Sequence, residues 1–213
     1  MDSKAHWERI YRTKAPDQTS WFEPEATLSL ELVRRIAPTH DEAIIDVGAG
    51  AATFVDGLLD AGYRRITVLD LSAAALAQAR QRLGDRARAV DWREADILHA
   101  QLLRRVFDVW HDRAVFHFLT GPADRRRYVA QVRYSLRPGG FALVATFAAD
   151  GPSRCSGLDV ARYSPNGLHA EFGPDFELVA SERQTHVTPW GTPQAFTYCL
   201  CRFEPHASTR EAA

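Results

Sequence analysis

The stretch Ala43-Ile44-Ile45-Asp46-Val47-Gly48-Ala49-Gly50-Ala51-Ala52 constrains this chain more than any other. A short apolar run ends in an acid. Two glycines follow one residue apart, and a helix-like segment runs from Thr53 to Ala61. That order is strand, tight turn, helix, the first unit of a doubly wound α/β sheet. Gly48 and Gly50 let the backbone turn sharply and approach a ligand with no Cβ in the way. A plain structural turn gives the same pattern, so the glycines alone do not name a ligand.

The next apolar run, Ile66-Thr67-Val68-Leu69, ends in Asp70, about 20 residues on, where an acid accepts from a ribose diol. A dinucleotide fingerprint asks for a third Gly or Ala three residues after Gly50, and Thr53 stands there. A pyrophosphate site also has little use for Asp46, two residues before the first glycine. A carboxylate there suits a ligand carrying an ammonium and a sulfonium.

At these residues the chain resembles the class I S-adenosylmethionine-dependent methyltransferases. Their first motif runs acid-x-Gly-x-Gly-x-Gly, matched by Asp46, Gly48 and Gly50, with the small Ala52 in place of the third glycine. The resemblance implies S-adenosylmethionine as cofactor and S-adenosylhomocysteine as product. It implies cofactor contacts from Asp46, Gly48, Ala49, Gly50, Asp70 and Leu71. It also implies an acid accepting from the adenine amino group with an apolar residue packed on the ring, roles that fall on Asp96 and Ile97 in Glu94-Ala95-Asp96-Ile97.

Periodicity and punctuation place the remaining elements. Lys4 to Lys14 reads as a helix with Trp7, Ile10 and Tyr11 on one face, broken by Ala15-Pro16-Asp17. A second helix runs from Glu25 to about Ile36 and stops before Pro38. Ser72 caps a helix to Leu83, ended by Gly84. Further strands are expected at Ala87–Trp92, Val106–Trp110, Phe141–Phe147, Phe176–Thr185 and Gln194–Phe203, and further helices at Pro122–Tyr134 and Ser164–Phe172. Thr188 to Pro193 joins the last two strands as a hairpin loop. A long loop from Ala148 to Pro165, carrying Cys155, leaves the carboxyl end of the fifth strand. The expected architecture is a Rossmann-like, doubly wound seven-stranded sheet with its last strand antiparallel and helices on both faces. Residues 1–40 form an N-terminal helical cap, 41–203 the core and 204–213 a flexible tail, in a single domain.

In the resembled family the N-terminal extension folds over the cofactor's methionine end, which makes Trp21 a cofactor-contact candidate. Simple packing on the sheet explains Trp7, Tyr11, Trp21 and Phe22 equally well. Two branches share the pattern His6-Trp7-Glu8 … Tyr11 … Ser20-Trp21-Phe22. One holds bacterial small-molecule enzymes related to thiopurine and thiol S-methyltransferases, with Asp-Arg after strand four. The other holds protein-lysine methyltransferases, which usually carry Asp-Lys-Gly there. Asp112-Arg113-Ala114 leans to the first, so the expected activity is methylation of a small molecule, with a thiol as a candidate. A protein-lysine methyltransferase and a non-catalytic cofactor-binding module are the alternatives. Catalytic candidates are His111 and Asp112, at the carboxyl end of strand four where ligands of open α/β sheets sit, and His186, at the entry of the last hairpin. A general base matters modestly for a thiol and more for an amine.

Composition narrows partners rather than chemistry. The 213 residues carry a formal net charge of −1, so no polyanion affinity is implied. The arginines of Arg125-Arg126-Arg127 lack interleaved aromatics, which argues against nucleic acid. No apolar run approaches the roughly 20 residues of a membrane span. The start, Met1-Asp2-Ser3-Lys4, reads as leading into a polar helix, and no signal peptide is expected there. Cys155, Cys199 and Cys201 have no metal-ligand spacing. The expectation is a cytoplasmic enzyme with reduced thiols and no metal, monomeric or weakly dimeric, acting without membrane or nucleic acid.

Overall fold

The computed structural model describes residues 3–206, so most of the expected flexible tail lies outside the described residues. Nine strands are present among them: β1 (Ala43–Val47), β2 (Arg65–Asp70), β3 (Val90–Glu94), β4 (Phe107–Arg113), β5 (Leu136–Phe147), β6 (Arg154–Cys155), β7 (Leu158–Asp159), β8 (Phe176–Val187) and β9 (Pro193–Phe203). The helices are α1 (Ser3–Thr13), α2 (Thr27–Ile36), α3 (Phe54–Asp60), α4 (Ala73–Leu83), α5 (Pro122–Ser135) and α6 (Pro165–Phe172). Seven strands form one sheet in the order β3-β2-β1-β4-β5-β9-β8, and β6 and β7 make a separate hairpin.

β1 is buried at every residue, as a central parallel strand covered on both faces must be. It pairs in parallel with β2 on one side and β4 on the other. The order reverses between β1 and β4, and ligands of such sheets bind at that switch point. β9 runs antiparallel to both β5 and β8. β8 therefore points the same way as β1, and its end at His186 lies on the carboxyl edge with the glycine turn.

Side chains alternate between the faces along each strand. Ile44, Val68, Val109 and Leu143 pack with Val33, Phe54, Leu58 and Leu76 from α2, α3 and α4. Ile45, Leu69, Trp110 and Val144 pack with Tyr128, Val132, Leu168 and Phe172 from α5 and α6. The doubly wound sheet with one antiparallel strand and helices on both faces is thus as expected. Both expected serine caps are present: Ser72 Oγ accepts from Ala75 N and Ser164 Oγ from Gly167 N.

Several boundaries differ from expectation, β4 running on to Arg113 and β8 to Val187 among them. A 3₁₀ segment, Gly84–Ala89, delays β3 to Val90. The fifth strand begins at Leu136, and the Pro138-Gly139-Gly140 turn becomes a register shift opposite Phe107 and Val109. The expected loop after Phe147 contains the β6–β7 hairpin. Two-residue strands are too short to leave a periodic signal.

Candidate functional site

The site begins at the glycine turn. Gly48 and Gly50 have φ of +63° and +57°, the left-handed region that glycine enters without penalty. Space demands glycine as well. A Cβ on Gly48 falls 1.8 Å from Val115 Cγ2, and one on Gly50 falls 2.1 Å from the Tyr11 hydroxyl. The turn is tied to β2, with Gly48 N donating to Leu69 O at 2.7 Å. Gly50 N donates to Asp70 Oδ2 and Ser72 N to Asp70 Oδ1, each at 2.8 Å. No cation pairs with Asp70 among the described ion pairs. Burial pushes its carboxyl up to about 6, against the pull of those backbone donors.

Asp70 lines a cavity of about 320 Å³. Leu71, Asp96, Ile97 and Leu98 line it together with Arg113, Val115, Phe118, Leu119 and Cys155. Asp96 Oδ1 accepts from Leu98 N at 2.9 Å, and its other oxygen meets His99 Nδ1 at 3.0 Å. Trp7, Tyr11 and Trp21 line the cavity too. Trp7 packs edge-on against Trp21 and Phe118, with centroids 5.7 and 5.0 Å away.

The α1 helix is fastened over this cavity by side chains that its sequence does not advertise. Glu8 Oε2 accepts from the Ser72 hydroxyl at 2.7 Å and from Ala74 N at 3.2 Å. The carboxylate thus sits at the start of α4, where the helix dipole and free N–H groups favour negative charge. The Ser72 contact holds its pKa below the usual value. From the same helix, Gln78 Nε2 donates to Tyr11 O.

The expected catalytic residues are not gathered in the cavity. Asp112 is fully buried. It accepts from Val115 N at 2.8 Å, Phe116 N at 3.0 Å and the Tyr128 hydroxyl, and burial pushes it up to about 6. His111 donates from Nδ1 to Asp46 Oδ1 at 2.7 Å, meets Ser29 Oγ through Nε2 at 2.9 Å, and stacks on Phe54. His111, Asp46 and Ala49 border a smaller adjoining cavity of about 40 Å³, which shares Trp21, Gly48 and Arg113 with the large one. His186 is buried and donates from Nε2 to Ser20 O at 2.7 Å. Arg113 does not pair with Asp112. Its guanidinium donates to Glu23 Oε1 at 2.8 Å, Trp21 O at 3.1 Å and the Tyr198 hydroxyl at 3.1 Å, and lies over Phe196. Burial pushes the Cys155 thiol up.

Residues 44–140 match the family model described as a methyltransferase domain. This stretch is a methyltransferase domain. The fold around it is the class I, S-adenosylmethionine-dependent type, and S-adenosylmethionine is the cofactor of that type. Solved structures match nearly the whole chain. The N-methyltransferase NodS of Bradyrhizobium japonicum WM9, in complex with S-adenosyl-L-homocysteine, has a TM-score of 0.72 at 17% identity, covering 95% of this chain and 98% of that one. A structure described as the conversion of a disulfide bond into a thioacetal group during echinomycin biosynthesis has a TM-score of 0.75 at 19% identity, covering 98% and 96%. At such identities the likeness is one of fold. Among curated relatives, the eEF1A lysine and N-terminal methyltransferase of Danio rerio is 25% identical over 153 residues, 70% of this chain and 22% of that protein. The chain spans 22% to 57% of the length of the first curated relatives it matches.

Proposed function

We propose that this protein transfers a methyl group from S-adenosylmethionine to a small-molecule acceptor, with sulfur as the favoured nucleophile. One observation carries the reading: a single cavity is lined by Asp70 and Asp96 together with Trp7, Trp21, Phe118 and Cys155. The residues present fit the cofactor. Asp70 is buried without a cation among the described ion pairs, and its two oxygens, met by backbone donors alone, retain accepting capacity. Two ribose hydroxyls are the donors it lacks. Of the glycine turn, Gly48 lines the cavity, while Gly50 lies against the Tyr11 hydroxyl and lines neither described cavity. In this reading Asp96 and Ile97 take the adenine end. Asp46, Gly48, Ala49 and Gly50 take the methionine end, Leu71 adjoins the ribose, and Trp21 covers the whole.

S-adenosylmethionine, when bound, supplies a methyl group on a sulfonium that is already a good leaving group. The chain's contribution is positioning and exclusion of water, which supplies on the order of 7–11 kcal/mol. Asp112 and His186 are committed to internal hydrogen bonds, as is His111. That favours an acceptor that sheds its proton readily, such as a thiol with an ordinary pKa near 8.5, over an ammonium near 10.4.

The second reading is protein-lysine methylation, favoured by the likeness to the eEF1A lysine and N-terminal methyltransferase of Danio rerio. A test is to incubate the protein with methyl-labelled S-adenosylmethionine, a panel of thiols and amines, and a cell lysate. Label in thiol products or other small molecules is the expected result. Label confined to protein overturns it in favour of lysine. No transfer by a protein that binds the cofactor leaves a non-catalytic module.

A further inference from the structure

We propose that His186 is a positioning residue, which clamps segment 20–23 and thereby sets Trp21 against the cofactor cavity. The proposal rests on the cofactor reading above. It begins from an anomaly of burial: on the edge strand β8 every residue from Ser181 to Val187 is exposed or half-buried except His186, which is 5% exposed. What covers it comes from the other end of the chain. Its Nε2 donates to Ser20 O at 2.7 Å and its Nδ1 faces Glu23 Oε1 at 3.4 Å.

Segment 20–23 lies between the 3₁₀ turn Pro16–Gln18 and α2 and belongs to no helix or strand. Its carbonyl groups are met by side chains from elsewhere. His186 serves Ser20, Arg113 serves Trp21, and the Thr53 hydroxyl donates to Glu23 O at 3.0 Å. Glu23 lies between Arg113 and His186, so the strap is pinned to the ends of β4 and β8 at once. Trp21, which the strap carries, lines both cavities and packs on Trp7 and Tyr11. A nucleoside-sized ligand in the cavity is held in part by contact with Trp7, Tyr11 and Trp21. The clamp therefore acts on the residence time of the ligand through Trp21, without touching the reacting atoms.

The test is stopped-flow tryptophan fluorescence with S-adenosylhomocysteine on the full chain. His186→Ala is expected to release the ligand about tenfold faster, the factor that one lost hydrogen bond supplies. His186→Gln, whose amide still donates to Ser20 O, is expected to stay near wild type. Glu23→Gln, nearly isosteric, tests the other side of the clamp and is expected to speed release several-fold. Release unchanged in folded His186→Ala, or His186→Gln as fast as His186→Ala, overturns the proposal. If His186→Ala does not fold, Glu23→Gln decides it, and wild-type release from that variant overturns it. Wild-type protein that binds no S-adenosylhomocysteine overturns the cofactor reading itself, and the clamp with it.

Discussion

At the scale of single residues, two buried carboxylates have different work. Asp70 borders the cavity, and its folded pKa is raised to about 6 from an ordinary value near 3.9. Only the ionised carboxyl accepts from both ribose hydroxyls. Affinity for S-adenosylhomocysteine is therefore expected to hold above pH 6 and to fall towards tenfold per pH unit below it, and Asp70→Asn removes that dependence. The sign for stability is opposite. A raised carboxyl costs the unliganded fold stability above about pH 6, and the cost fades as pH falls towards 4. At pH 7.5, Asp70→Ala is expected to weaken binding at least about tenfold, the loss of one or two charged hydrogen bonds, while the protein stays folded by circular dichroism. Asp112 borders neither of the two cavities described. Asp112→Asn leaves one of three donors facing an amide N–H and is expected to cost about 1–3 kcal/mol in denaturant unfolding, with kcat per folded molecule little changed. A folded Asp112→Asn protein of wild-type stability and much lower kcat contradicts this assignment. The sequence marked Asp112 as a catalytic candidate and gave no sign of its structural tie, because Tyr128, its partner, sits on a helix 16 residues away.

At the scale of elements, the glycine turn and the α1 roof carry the site. Gly48→Ala adds a Cβ at positive φ against Val115, and a loss of at least about 1 kcal/mol is expected in thermal unfolding, together with weaker cofactor binding. Glu8→Ala cuts the tie between α1 and the start of α4. It is expected to weaken S-adenosylhomocysteine several-fold while the unfolding midpoint of the core moves little, and unaltered affinity in calorimetry contradicts the role given to α1. Elements were legible where their signals are local. β1 reads as an apolar run interrupted only by Asp46 because both its faces are covered, and Ser72 and Ser164 announce helices that begin at the next residue. The β6–β7 hairpin left no trace, although it delivers Cys155 to the cavity. Glu8 gave no sign of its role, since its partners lie more than 60 residues along the chain.

At the scale of the whole molecule, long-range contacts decide what the ordered motifs cannot. Asp46, Asp70 and Asp96 fall in register with the methyltransferase pattern, and the sheet brings the ends of β1, β2 and β4 around one cavity, with Asp46 on a small annexe to it. His111, Asp112 and His186 sit on the same edge, as their strands dictate, yet turn into the protein's own hydrogen bonds. Strand position fixes the edge on which a residue emerges, and distant packing fixes where its side chain goes. No described helix is long and apolar enough to cross a membrane. The account as a whole stands on the cavity being a site for S-adenosylmethionine. Its most direct test is isothermal calorimetry of the full chain at pH 7.5 with S-adenosylhomocysteine and, separately, NAD. The account predicts saturable binding of one S-adenosylhomocysteine per chain and no heat with NAD; NAD binding, with no heat from S-adenosylhomocysteine, contradicts it.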